Sequence, residues 1–135
     1  MEQIAAIIER ASDGTYSVYC KNEIFSGMGD TINEAKADMA SQMVAYKETA
    51  LEQGFKYPAF LDGDFEVVYE VDAVSLLKYY IGSGIFTLTA LEKLTGISQK
   101  QLWAYNNGTK PRKAQADRIN AGFRRLSEDL DAIFA

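Results

Sequence analysis

Apolar and polar residues alternate in the first part of the chain, and this pattern predicts a small antiparallel sheet. Strands are expected over residues 3–10, 15–21 and 23–26, with turn-forming residues between them and a loop over 27–30. The apolar residues of the first two strands share one face: Ile4, Ala6, Ile8, Tyr16, Val18 and Cys20. The spacing therefore predicts a three-stranded antiparallel meander.

One helix and one further strand are predicted next. Thr31 and Glu34 have the spacing of a capping box, in which a hydroxyl and a carboxylate satisfy free amides at a helix start. The helix is expected to end at Gly54. Its apolar residues recur at intervals of three and four: Ile32, Ala35, Met39, Met43, Tyr46 and Ala50. Alternation over residues 65–71 predicts a fourth strand, so the first unit has the order β-β-β-α-β and ends near Asp72.

After Asp72 the apolar period is helical throughout. Helices are expected over residues 73–81, 87–95, 98–107 and 112–134. The last helix is expected to begin with Pro111 in its first turn and to break at Gly122. Its apolar stripe is Ile119, Phe123, Leu126, Leu130 and Ile133. The predicted fold class is α+β, with a β-β-β-α-β domain over residues 1–72 followed by an all-α domain over 73–135.

Two of these helices are short and flank a turn at Gly96. Five apolar residues have the spacing of a buried seam between them: Leu91, Leu94, Ile97, Leu102 and Tyr105. Gln99, Lys100 and Trp103 are then left on the outer face of the second helix, where glutamine can pair with an adenine edge and lysine with guanine acceptors. The predicted DNA-binding residues are Ser98, Gln99, Lys100, Trp103, Asn107, Thr109, Lys110, Arg112 and Lys113.

Two plainer interpretations of this segment remain open. The helix pair can be a simple hairpin whose basic face is only solvated, and Trp103 suits a dimer contact as well as a DNA contact. The residues that follow include long or amide-bearing donors that suit phosphate groups: Asn106, Asn107, Thr109, Lys110, Arg112 and Lys113. Because periodicity, capping and charge agree here, binding of a DNA duplex is the preferred hypothesis.

The net charge of −5 conceals a strong asymmetry along the chain. Residues 1–80 carry 6 Lys or Arg against 14 Asp or Glu, a net charge of −8. Residues 81–135 carry 8 against 5, a net charge of +3, and the window 93–125 alone has a net charge of +7. Such a division predicts an acidic interaction module joined to a nucleic-acid-binding module.

Several classes of function are disfavoured by composition. The chain has no histidine, the commonest general base and metal ligand, so no catalytic residue, metal or cofactor is predicted. Its single cysteine, Cys20, cannot form an internal disulfide, which suits a reducing cytoplasm, and it is expected to be buried and inert because no histidine can activate it. No apolar run approaches the ~20 residues that span a bilayer, and Met1-Glu2-Gln3 does not begin a signal-peptide pattern.

One acidic cluster offers an enzymatic alternative. Asp62, Asp64 and Glu66 alternate along a loop-to-strand segment, and carboxylates on one face of a strand can hold Mg²⁺. A metal-dependent nuclease is the corresponding hypothesis. Solvated acidic residues that attract a basic partner explain the same pattern and are preferred.

The helix pair resembles the lambda-repressor-like helix-turn-helix family. The residues that carry the resemblance are Ile97, Ser98, Leu102, Tyr105, Asn107 and Gly108. The resemblance covers roughly residues 73–135 and implies that Gln99 and Lys100 contact bases, while Asn107 and residues 109–112 contact phosphates. In that family a glutamine often stands just inside the first helix of the pair, and this chain has Leu88 there.

Residues 1–72 resemble the HicB antitoxin family, which has a partial ribonuclease-H-like fold. The matching residues are Asp13-Gly14 with Tyr16, then Gly29-Asp30-Thr31, then Glu34-Ala35. The resemblance implies a small, basic, messenger-RNA-cleaving toxin of the HicA type as a partner. It also implies a homodimer, or a higher assembly, that represses its own promoter at a palindromic operator in double-stranded DNA.

The chain departs from that family in one stretch. Family members usually carry a proline-aspartate-leucine-proline-glycine segment before the Gly-Asp-Thr loop, whereas residues 21–27 of this chain contain no proline. An orphan DNA-binding regulator, whose front domain senses a protein or a small ligand, is therefore the alternative hypothesis.

Overall fold

The computed structural model describes residues 1–135, which divide into two compact units, Met1–Val71 and Asp72–Ala135. The fold is α+β, with one four-stranded mixed sheet and five α-helices. The division falls one residue before the boundary expected from the sequence. None of the helices combines the length and the apolar character needed to cross a membrane.

The first unit consists of a sheet covered on one face by a long helix. Its elements are β1 (Glu2–Arg10), β2 (Tyr16–Cys20), β3 (Ser26–Gly29), α1 (Ile32–Gln53), a 3-10 helix (Ala59–Asp62) and β4 (Phe65–Val71). The strand order is β3-β2-β1-β4. Strands β1, β2 and β3 form the predicted antiparallel meander, and β4 pairs in parallel with β1 so that Ala6 lies opposite both Cys20 and Tyr69.

The core of the first unit lies between the sheet and the predicted apolar stripe of α1. Ala35, Met39 and Met43 are buried on that stripe and pack against buried residues of the sheet and loops: Ile4, Ala6, Val18, Cys20, Phe25 and Phe60. The alternation predicted for β4 is also confirmed, because its odd-numbered residues are the less exposed ones. Apolar burial of this kind stabilises a fold in proportion to the area removed from water.

The position predicted for the third strand is wrong. A strand was expected over residues 23–26 and a loop over 27–30, whereas β3 spans Ser26–Gly29. A side chain at Gly27 would collide with the carbonyl oxygen of Ala35 in α1. The glycines that resemble turn residues in the sequence therefore allow an edge strand to lie directly against the helix backbone.

The ends of α1 follow the predicted chemistry with one change. Thr31 Oγ1 accepts a hydrogen bond of 3.1 Å from Glu34 N, and Gly54 ends the helix with φ of 74°. The carboxylate of Glu34, however, accepts from the amide of Asp30 at 3.0 Å rather than from that of Thr31. The capping box therefore includes the amide of Asp30, one residue earlier than predicted. The same bond fixes the position of the residue that follows β3.

The second unit contains the other four helices: α2 (Ala73–Gly82), α3 (Leu88–Thr95), α4 (Gln99–Asn106) and α5 (Lys113–Phe134). The predicted caps of α2, α3 and α4 are confirmed, because Asp72, Thr87 and Ser98 each accept a hydrogen bond from a first-turn amide. The buried core of this unit comprises Ala73, Leu77, Leu91, Ile97, Leu102, Tyr105 and Ile119.

Two predictions for the last helix are wrong. Pro111 lies outside the helix, since α5 begins at Lys113 with Arg112 as its cap residue. The helix is also unbroken at Gly122, which is buried. A Cβ atom at Gly122 would lie 2.8 Å from the carbonyl oxygen of Leu94, so this glycine allows α5 to approach the end of α3.

The apolar stripe predicted for α5 is only partly used within the unit. Ile119 is fully buried and Phe123 is packed against the core. Leu130 and Ile133 retain 44% and 72% of their surface in solvent.

We expect Gly122→Ala to lower the free energy of unfolding by about 1–3 kcal/mol, because the new methyl group overpacks the contact with Leu94. Gly82→Ala, in open space at the end of α2, is the matched control and should be neutral or slightly stabilising. Urea unfolding followed by circular dichroism measures both. A Gly122→Ala protein as stable as the parent would contradict the proposed close approach.

Candidate nucleic-acid interface

The turn between α3 and α4 is held by short local bonds. The hydroxyl of Thr95 donates to Leu91 O at 2.7 Å and accepts from Ile97 N at 3.2 Å. Gly96 adopts φ of 74°, a left-handed conformation that a residue with a side chain rarely adopts. Ile97 is 2% exposed and fills the space between the helices, as the sequence predicts. The direction of α4 relative to α3 is therefore tightly constrained.

The faces of α4 divide as predicted. Leu102 and Tyr105 are buried, whereas Gln99, Lys100 and Trp103 point to solvent, with Trp103 58% exposed. With its side chains, an α-helix such as α4 is about 10–12 Å in diameter. The major groove of DNA is about 12 Å wide, so an element of this size with a polar outer face can enter it.

The carboxylate of Glu92, which belongs to no recognisable sequence motif, positions Gln99. The Glu92 Oε2 atom accepts from the backbone amide of Gln99 at 3.2 Å, and Oε1 accepts from its side-chain amide at 3.4 Å. Leu88 occupies the position where the helix-turn-helix family often carries a glutamine, and it packs against the core of the unit. Glu92 lies one turn further along α3 and takes the bracing role. Its contact depends on the angle between two helices, for which the sequence carries no local signal.

The loop after α4 begins with a side chain that is already engaged. Asn107 Nδ2 donates to Trp103 O at 2.8 Å, and Thr109 N donates to Ala104 O at 3.0 Å. One amide hydrogen of Asn107 is therefore spent on closing α4, which reduces its capacity to donate to a phosphate. The hydroxyl of Thr109 and the side chain of Lys110 remain exposed.

All nine predicted DNA-binding residues lie on the surface of the second unit: Ser98, Gln99, Lys100, Trp103, Asn107, Thr109, Lys110, Arg112 and Lys113. They occupy the start and outer face of α4, the loop that follows it and the start of α5. Lys113 differs from the other cations in this set, because it forms an ion pair of 2.8 Å with Asp117 one helical turn later.

Two arginines of the basic window have an architectural role instead. Arg118 Nη2 donates to Gly96 O at 3.0 Å, and Arg125 Nη2 donates to Leu94 O at 2.7 Å. These carbonyl groups lie at the carboxyl end of α3, where the partial negative charge of the helix favours a nearby cation. The two side chains thereby join α5 to α3.

Five other cations of the window form no ion pair within the protein: Lys93, Lys100, Lys110, Arg112 and Arg124. Lys100, Lys110 and Arg112 belong to the α4 face and its loop, so their positive charge is available to an external anion. Each phosphate neutralised by such a residue makes binding more sensitive to salt.

The acidic residues considered for metal binding lie in the first unit and do not act together. Asp62 accepts from Lys47 Nζ at 2.8 Å and from the hydroxyl of Tyr57 at 2.9 Å, and these bonds lower the pKa of its carboxyl. Glu66 accepts instead from the side chain of Gln3 at 3.0 Å. No group of three His, Cys, Asp or Glu side chains could hold a metal ion.

Comparisons with known proteins do not assign this interface. No family model matches the chain, and neither does any curated protein or solved structure. The interpretation of the α4 face therefore rests on its own geometry, charge and hydrogen bonding.

Proposed function

We propose that the second unit binds double-stranded DNA through a helix-turn-helix formed by α3 and α4, with α4 as the recognition helix. The protein acts as a cytoplasmic repressor of its own promoter. Its first unit, with a partial ribonuclease-H-like fold, masks a small basic toxin of the HicA type that cleaves messenger RNA. In this proposal the protein is a non-enzymatic antitoxin of a type II toxin-antitoxin pair.

One observation carries the DNA-binding part of the proposal. The exposed face of α4 presents Gln99 and Lys100, side by side, on a helix whose opposite face is locked into the core by Leu102. Glu92 holds Gln99 at the start of that helix, where residues of a recognition helix contact base edges. The 3.4 Å side-chain bond to Glu92 uses one amide hydrogen of Gln99 and leaves its second amide hydrogen and its carbonyl oxygen for an adenine edge, and a side chain that is already held loses less entropy on binding.

The exposed end of α5 supports self-association of the second unit. Its apolar residues are symmetrical about Glu128: Leu126 and Leu130 lie two residues from it, and Phe123 and Ile133 five residues from it. When two copies of α5 pack antiparallel, Leu126 of each copy lies opposite Leu130 of the other. This packing buries the exposed side chains of Leu130 and Ile133. A twofold dimer of this kind places two recognition helices on one palindromic operator, about 34 Å apart.

The toxin-binding role is supported by the charge of the first unit. Residues 1–80 have a net charge of −8, and a protein that binds RNA must itself be basic. Complementary charge accelerates association and excludes partners of the same sign. An orphan regulator remains the second candidate, and the absence of proline from residues 21–27 is the observation that favours it. A gene for a short basic protein beside this one favours the antitoxin, whereas its absence favours the orphan regulator.

We expect Gln99→Ala and Lys100→Ala each to weaken operator binding by about 5- to 150-fold, the loss of about 1–3 kcal/mol of base recognition. Gel shifts with the DNA upstream of the gene measure the affinity at a fixed salt concentration. Arg124→Ala is the charge-matched control, because Arg124 is exposed on α5 and forms no ion pair. Equal affinities of parent and Lys100→Ala for the operator would overturn the assignment of α4.

We expect Leu130→Asp and Ile133→Asp to convert a dimer into a monomer, because each places a charge in the shared apolar stripe. Sedimentation velocity at several protein concentrations measures the state. Ala132→Asp is the control, since Ala132 is exposed but lies outside the stripe. A dimer that survives both stripe variants contradicts pairing through α5.

Co-expression tests the antitoxin assignment directly. The product of the neighbouring gene should arrest growth when produced alone, and this chain should restore growth when produced with it. A first unit carrying residues 1–71 without the DNA-binding unit should retain part of this protection if masking is its own property. Growth that the neighbouring gene does not affect would remove the antitoxin assignment and leave the DNA-binding proposal standing.

A further inference from the structure

At one edge of the sheet of the first unit lies β4, which pairs with β1 alone. The strand order β3-β2-β1-β4 leaves one side of β4 without a neighbouring strand. Glu2 N donates to Asp64 O. In a parallel ladder every second residue bonds to the neighbouring strand, so the main-chain groups of Glu66 and Val68 also point towards β1. The main-chain N–H and C=O groups of Val67 and Tyr69 therefore point to the open side. Such an edge is a template for one more strand.

An apolar groove lies beside this edge. It has a volume of about 510 Å³ and runs between α1 and β4. Its lining includes Ala40, Met43, Val44, Leu51, Val67 and Tyr69. Val44 and Leu51 remain 59% and 63% exposed and belong to the same apolar lining. A strand added to β4 would direct every second one of its side chains into this groove and would cover Val44 and Leu51.

The two faces of the sheet at β4 differ in chemical character. Three charged side chains line the groove: Lys36, which lies 4.5 Å from the ring centre of Tyr69, Lys47, which pairs with Asp62, and Glu48. On the opposite side of β4, Glu66 and Glu70 flank the exposed Val68, and Glu70 also pairs with Lys21 at 2.9 Å. An added strand therefore meets a mainly apolar surface, with charges of both signs, on the face towards α1, and the carboxylates of Glu66 and Glu70 on the opposite face.

This pattern disfavours the pairing of two β4 strands from two copies of the chain. Antiparallel pairing of two β4 strands centred on Val68 places Glu66 opposite Glu70 of the second copy. Pairing centred on Val67 instead places Asp64 opposite Glu70. Like charges directly opposite each other destabilise a strand pair.

We propose that β4 and its groove bind an extended segment of the basic partner by adding it to the sheet. The segment alternates apolar side chains, which enter the groove between α1 and β4, with Lys or Arg side chains, which face Glu66. This inference rests on the proposed antitoxin function for the identity of the partner, the basic toxin. The chemistry of the segment follows from the edge, the groove and the carboxylates alone.

A phage-displayed library of random ten-residue peptides, selected on the full-length chain, tests the chemistry. We expect enriched sequences to alternate apolar with basic residues over at least five positions. A fluorescent synthetic copy of an enriched peptide then gives affinities by polarisation. Failure to enrich any sequence, or enrichment of sequences without the alternation, overturns the proposal.

Two variant pairs locate the peptide on the protein. Ala40→Arg projects a long cation into the groove and should lower the affinity for the peptide at least tenfold. Ser41 is exposed on α1 but lies outside the groove, so Ser41→Arg should leave that affinity unchanged. Glu66→Lys should weaken it at least fivefold, and Glu52→Lys, an exposed carboxylate on α1, is its control. Equal effects within either pair overturn the site.

The outcome separates this inference from the proposed function. Growth rescue in co-expression that survives Ala40→Arg overturns the edge as the toxin-binding site and leaves the antitoxin assignment intact. A peptide that binds as expected, in a protein whose neighbouring gene encodes no toxin, keeps the site and removes the toxin as its occupant. Operator binding by every variant should equal that of the parent, because the substitutions lie outside the second unit.

Discussion

The contact between the end of α3 and the middle of α5 constrains the whole second unit. Gly122 brings the two backbones together at Leu94, and Arg118 and Arg125 hold the last carbonyl groups of α3. Because the turn at Gly96 follows at once, any shift of this contact would move α4 and the polar face that it presents. The first unit uses the same device, since a glycine of β3 lies directly against α1.

Features that depend on neighbours in sequence were predictable. Capping by Thr31, Thr87 and Ser98 needs only a hydroxyl three residues before a free amide, and the stripes of α1 and β4 need only the periods of a helix and a strand. The sheet order beyond the meander was not predictable from these periods. Parallel pairing of β4 with β1 joins segments that are far apart in the sequence, and it buries the apolar faces of both strands under α1.

Two of the errors, at β3 and at the middle of α5, share one physical origin. Glycine is both a turn residue and the residue of closest approach, and only the tertiary neighbour distinguishes the two roles at Gly27 and Gly122. For the candidate site, helical spacing predicted which residues of α4 are exposed. It did not predict that the side chains of Asn107 and Arg125 bind main-chain carbonyl groups of the protein. Counting charges in sequence overstated the cations available to a ligand, since some of them bind the protein's own carbonyl groups or a nearby carboxylate.

The distribution of Cys20 and Trp103 gives each unit its own intrinsic reporter. Burial raises the pKa of the Cys20 thiol, so alkylating reagents meet a protonated, covered sulfur until the first unit opens. Trp103 is the only tryptophan and lies in the second unit, so its fluorescence emission follows that unit alone. Alkylation and emission recorded on one unlabelled sample thus reveal whether the two halves of the chain melt as one cooperative body or independently.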